Sequence, residues 1–210
     1  ARHELNLWGL VLAAGIAAPQ RFFAMLAQRG APRDPNAPIP AQPYRFEFLG
    51  PATGGRFASL AGVEGDTSVW YAGSASGGVW KTTDGGANWR PIFDNQPVQA
   101  IGALAVAPSD KNIVWAGSGE AWAIRESDVM GDGVYKSTDA GVTWQHTGLR
   151  ETGRIARILV HPKDANVVYV CALGRTTGPQ EERGVFKTTD GGRTWTRSAF
   201  VDVNTGCSDI

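Results

Sequence analysis

From Tyr44 to Ile210 the chain alternates short apolar runs with polar turns, and the same order of runs recurs three times. Each cycle opens with a run of small apolar residues: RFASLAGV (56–63), AIGALAVA (100–107) and RIARILVH (154–161). A turn bearing an aspartate follows (Asp66, Asp110, Asp164), and five residues later a second run carries an aromatic, Tyr71, Trp115 or Tyr169. A third run, GVWK, GVYK or GVFK, leads into an eight-residue phrase: TTDGGANW (82–89), STDAGVTW (137–144) and TTDGGRTW (188–195). A fourth short run begins at the closing Trp of each phrase. Apolar alternation bounded by Gly, Asp and Pro predicts strands, and self-similarity at a period of about 50 residues predicts a repeat architecture. Four antiparallel strands repeated around an axis make the blades of a β-propeller. The expectation is an all-β fold of three such blades, about 44–94, 98–149 and 152–200, in an incomplete ring. Residues 201–210 would enter a fourth blade.

The repeated phrase explains itself mechanically. Its aspartate (Asp84, Asp139, Asp190) accepts hydrogen bonds from the N–H groups of its own turn. The leading Thr82, Ser137 or Thr188 adds a second local bond, and Gly86, Gly141 and Gly192 allow positive φ without a side-chain penalty. The closing Trp89, Trp144 and Trp195 bury a large ring between blades. A calcium or catalytic role is the alternative. It is disfavoured because each copy offers one carboxylate where calcium takes several oxygens.

Spacing locates the face where function concentrates. From turn aspartate to phrase aspartate the three cycles span 18, 29 and 26 residues, whereas from phrase to next turn they span 26 and 25. The growth therefore lies between second and third strands, on the face opposite the phrases, and variable loops on a rigid frame are the usual place for binding. That face would carry Glu120, Trp122, Arg125, Glu126 and Asp128 from the second cycle. The third would add Arg175, Glu181, Glu182 and Arg183. Arg56 and Arg154 start equivalent inner strands beside the same channel mouth. Candidate ligand-binding residues are thus Arg56, Glu120, Trp122, Arg125, Glu126, Asp128, Arg154 and Arg175, a mixed-charge surface with one exposed aromatic. It suits a protein, peptide or glycan partner.

The first 43 residues differ. Arg2 and His3 precede the apolar stretch LNLWGLVLAAGIAA (5–18), short for a membrane span and of the size of a secretory signal's apolar region. Residues 1–29 read as a signal-like or anchor segment, with a plain amphipathic helix as the alternative, and 30–43, with five prolines, as an extended linker. Export is expected, with membrane contact only through that segment. Twenty basic and twenty acidic side chains cancel, which removes the electrostatic case for nucleic acid. The two cysteines make neither a disulfide framework nor a metal site. Cys171, inside NVVYVCAL, reads most simply as a small buried residue, and a bond to Cys207 is the alternative in an oxidising compartment. No cofactor motif is present.

The phrase S/T-x-D-x-G-x-T-W resembles the Asp-box, or BNR repeat, of sialidases, xyloglucanases, photosystem-assembly propellers and sortilin-type receptors. The second and third copies match it fully, and the first has Asn88 in place of Thr. The stretch from Phe48 to Trp89, with GSGEAW, GDGVYKSTD and VNTGCSDI, is similar to exported bacterial proteins classed with the sortilin N-terminal propeller. In xyloglucanase-type hydrolases the first blade carries a catalytic Asp in a phrase like Y-A-R-T-D-V-G-G, and here Ala75 stands in its place within Tyr71–Gly78. Glycoside hydrolysis ordinarily takes two carboxylates. The resemblance therefore implies a non-catalytic, sortilin-like binding propeller. The alternatives are a glycoside hydrolase completed by further blades, or a protein-assembly factor.

Overall fold

A computed structural model describes residues 50–51, 55–122 and 130–210, all within the second of two compact units, Phe48–Ile210. The expectations for 1–29 and 30–43, and those for Arg125, Glu126 and Asp128, lie outside the described residues. The strands fall where apolar alternation places them. In the first sheet β1 (Phe57–Val63), β2 (Asp66–Ser74), β3 (Val79–Thr82) and β4 (Arg90–Pro91) pair in that order. The second holds β5 (Ile101–Ala107), β6 (Asp110–Ser118), β7 (Val134–Ser137) and β8 (Gln145–Gly148). The third holds β9 (Ile155–His161), β10 (Asp164–Ala172), β11 (Gly184–Thr188) and β12 (Thr196–Ala199). All nine pairings are antiparallel. These are three propeller blades in an open ring. A single-turn 3-10 helix (Arg150–Thr152) links the second blade to the third. Residues 201–210 form no strand.

Successive strand residues point to opposite faces, so each blade presents one face to each neighbour. Between blades one and two, Val63, Tyr71, Val79 and Phe93 pack on Leu104, Val114, Ala116 and Tyr135. Between blades two and three, Ala103, Trp115 and Val134 pack on Ile155, Ile158, Val168 and Val170. The innermost strands β1, β5 and β9 stay small because they approach one another closely. A Cβ on Gly102 would lie 2.2 Å from the carbonyl oxygens of both Gly119 and Ile155. Each inner strand also carries a bulge at its start, at Ala58, Gly102 and Ala156. The outermost strands are short and largely solvent-facing.

The phrases are closed turns. In the second, Ser137 donates to the Asp139 carboxylate at 2.7 Å, Thr143 donates to it through both its N–H (2.8 Å) and its hydroxyl (2.5 Å), and Gly141 N–H bonds Ser137 Oγ. Asp190 is held identically by Thr188 and Thr194, and Asp84 by Thr82 and Asn88, whose amide replaces the missing hydroxyl. These donors hold Asp84 and Asp139 down to about 2, and Asp190 lower still. Trp144 and Trp195 reach across to the preceding blade, as expected of the phrase.

The cysteines correct the simpler expectation. Cys171 is buried at the end of β10, but it is bonded to Cys207, with Cα atoms 5.1 Å apart. The 36-residue separation hid this. The segment after β12 folds back so that Cys207 N–H donates to the Ala172 carbonyl, and the partner arrives from the next cycle's entry.

Candidate functional site

In a meander of four strands, the described parts of the connections from second to third strand (75–78, 119–122 with 130–133, and 173–183) share one face with the connections between blades. Backbone bonds confirm the juxtaposition: Gly78 N–H to Gln99 O, Gly131 N–H to Gly153 O, and Gln180 N–H to Val203 O. The long loops are therefore stitched to the chain entering the next blade.

The best-defined element is a charged pair. Gly119, at φ +83°, turns the chain sharply after β6. A Cβ there would lie 2.1 Å from Gly153 O, so only glycine lets the loop settle against the entry to β9. The turn delivers Glu120 into a buried position, 1% exposed. Arg56, just before β1, reaches across from the first blade and grips both carboxylate oxygens, Nε to Oε1 at 2.9 Å and Nη2 to Oε2 at 2.5 Å. A bidentate fork of this kind fixes orientation as well as charge. The Arg56 side chain stays 59% exposed. Two residues on, Trp122 stands 69% exposed.

Arg154 occupies the same place in the third cycle and does different work. It is 7% exposed, and its guanidinium turns to the carbonyls of Gly174 (2.8 Å) and Arg175 (3.3 Å) in its own blade's loop. Burial, and then neighbouring Arg183, pull it below its ordinary value. Arg183, also buried, bonds the carbonyls of Leu173, Arg175 and Gly178. Arg175 itself pairs with Glu151 at 2.9 Å. These arginines fold a loop onto the frame: Arg154, a candidate ligand-binding residue by sequence, is buried with its guanidinium donating to the loop's carbonyls.

A second polar network was not foreseen from sequence. Tyr135 donates its hydroxyl to Asp132 (2.8–2.9 Å), Ser118 Oγ bonds the Gly133 carbonyl and receives the N–H groups of Asp132 and Gly133, and Arg150 lies 3.6 Å from Asp132. Burial and the Asp132 carboxylate raise the Tyr135 hydroxyl far above its ordinary value. The available signal was Asp132 set between two glycines just before β7.

Chemically, the buried or half-buried carboxylates best defined on this face, Glu120 and Asp132, are engaged. Glu120 is gripped by Arg56 and Asp132 by Tyr135, while Ala75, 4% exposed at the end of β2, brings none. Among the described residues no three His, Cys, Asp or Glu side chains converge as a metal site would require. Facing solvent among the described residues are the Trp122 indole, the outer side of the Arg56–Glu120 pair, and the exposed side chains of Arg175, Glu151 and Glu181.

No family model matches the chain. It is 26% identical over 224 residues to a xyloglucanase of Paenibacillus sp, covering 97% of this chain and 20% of that protein. It is 28% identical over 159 residues to a xyloglucanase of Hypocrea jecorina (strain QM6a), covering 67% and 17%. The chain thus spans about a fifth of the length of the curated relatives it matches. Among solved structures, an ancestral GH74 enzyme superposes at TM-score 0.56 with 24% identity, over 70% of this chain and 19% of that one. YCF48 bound to D1 peptide superposes at 0.55 with 17% identity, over 79% and 47%. At these identities the likeness shows the propeller fold.

Proposed function

We propose that these blades belong to a β-glucan-recognising propeller of the glycoside hydrolase type, with the face bearing Trp122 and the Arg56–Glu120 pair as its saccharide-binding side. One observation carries the reading: a solvent-facing indole two residues along from the buried carboxylate that orients a half-exposed guanidinium. An indole offers a flat apolar surface to the C–H face of a pyranose ring, and fixed polar groups at its edge orient the hydroxyls. The named activity of the curated relatives supports saccharide as the ligand class and ranks hydrolysis ahead of the non-catalytic, sortilin-like role. Cleavage would need a carboxylate pair drawn from groups other than Ala75, Glu120 and Asp132. The three saturated turns support reading the repeats as Asp-boxes, structural pins on the opposite face. The Cys171–Cys207 bond supports export to an oxidising compartment.

The test is titration of the full protein with xyloglucan oligosaccharides, read calorimetrically, alongside reducing-sugar release from the polymer. Binding should weaken about tenfold in Trp122→Ala, equivalent to roughly 1.4 kcal/mol. A protein that neither binds nor cleaves xyloglucan, or binds it unchanged without the indole, would overturn the proposal.

A further inference from the structure

One edge of the Arg56 guanidinium is occupied and another is open. A guanidinium carries five N–H donors in a planar fork. The Nε–H and one N–H of Nη2 are taken by the two oxygens of Glu120, and among the described residues no other group bonds Arg56. The remaining donors sit on Nη1 and Nη2, at the end of the fork turned away from that carboxylate. Arg56 stays more than half exposed, while Glu120 beneath it is buried. With its inner edge pinned at both oxygens, the open end of the fork is held in one plane.

Two parallel N–H groups at the end of such a fork reach two oxygens at once, and a carboxylate would ordinarily claim them. Charge opposes that here. The Glu120 carboxylate already neutralises Arg56, and its burial leaves it little screened. An incoming anion would lie only a guanidinium's width from it, and like charges so placed oppose binding. Two vicinal hydroxyls of an uncharged sugar ring can accept the same two hydrogen bonds without the repulsion. The pairing continues across the face: Arg150 stands 3.6 Å from Asp132, and Arg175 2.9 Å from Glu151. Guanidinium donors are thus presented to solvent with their charge already answered from within the protein.

We infer that Glu120 is a specificity-determining residue: by orienting and neutralising Arg56, it makes this face select the vicinal diol of an uncharged pyranose and refuse sugars that carry a carboxylate. The inference rests on the saccharide reading given above. Glu120 acts through Arg56, as a positioning residue, and does not itself touch the sugar.

Calorimetric titration with matched ligands tests this, using xyloglucan oligosaccharides and the same oligosaccharides with their free primary hydroxyls oxidised to carboxylates. In low salt, about 20 mM, where screening is weak, the parent should bind the neutral ligand at least about tenfold more tightly. Glu120→Gln keeps the side chain's shape and one acceptor oxygen but leaves Arg56 its full charge. The acidic ligand should then gain about tenfold in affinity, and the gain should fade at about 0.5 M salt. A residue that only tied the blades together would lower the unfolding temperature and both affinities, leaving their ratio as in the parent. Arg56→Lys, a change at an exposed position, keeps a cation opposite Glu120 without the fork and should weaken the neutral ligand about tenfold. An unchanged ratio in Glu120→Gln, a parent that fails to prefer the neutral ligand, or an Arg56→Lys variant that binds it as the parent does would overturn the inference and leave the saccharide reading standing. A parent that binds neither ligand would overturn both.

Discussion

Trp144→Ala is the sharpest probe of what holds one blade to the next. The indole bridges blades one and two, donating to Ile92 O at 2.8 Å and meeting the Phe93 ring edge-on at 5.1 Å. A tryptophan buries about 150–250 Å², and this one is half-buried, so roughly 100 Å² is lost at about 25 cal/mol per Å², near 2.5 kcal/mol. The edge-to-face pair contributes about 0.5–1.5 kcal/mol and the hydrogen bond about 1 kcal/mol. Trp144→Ala should therefore cost about 4 kcal/mol. Trp144→Phe keeps a ring against Phe93 and should cost only about 1–2 kcal/mol. Equilibrium urea unfolding followed by far-UV circular dichroism measures both. Equal costs for the two variants, or less than about 1 kcal/mol for the alanine, would refute the view that this ring ties the blades together.

Three further outcomes follow from the same geometry. Ala140 sits at φ 57° where the other two phrases have glycines at φ 71°. Relief of left-handed strain outweighs the extra chain entropy of glycine, so Ala140→Gly should raise stability by about 0.5 kcal/mol in urea titration. The phrase aspartates are depressed from 3.8 to about 2 in the fold. Their contribution is complete above the unfolded value and fades as pH falls from near 4 towards 2, and Asp139→Asn should make the acid limb of a stability–pH curve shallower. Reducing Cys171–Cys207, which closes a loop over a 36-residue separation, should lower stability by about 3–4 kcal/mol on the loop-entropy model. Thermal unfolding with and without reductant reads this directly.

The strands were legible because each is a short apolar alternation closed by a turn that can only be a turn; 56–63 was expected where Phe57–Val63 forms. The phrase was legible because its bonds are all local. What sequence could not show were the partners that cross cycles. Arg56 and Arg154 align, yet one reaches 64 residues on to Glu120 and the other turns to carbonyls of its own blade. The difference lies in what each neighbouring loop offers: a buried carboxylate after Gly119, or a bent backbone at 173–178 with unpaired oxygens. Asp132 escaped notice for the same reason, since its partner Tyr135 reads as core until the hydroxyl is placed.

The rim strands have a further consequence. β4 is two residues long and one of them, Pro91, has no N–H to offer; β8 and β12 are short and polar. A foreign strand seeking to extend any of these sheets finds almost no free backbone ladder, which is how edge-to-edge aggregation is resisted. Each blade is thereby kept four strands wide, and a crowded chain is denied the lateral growth that builds fibrils.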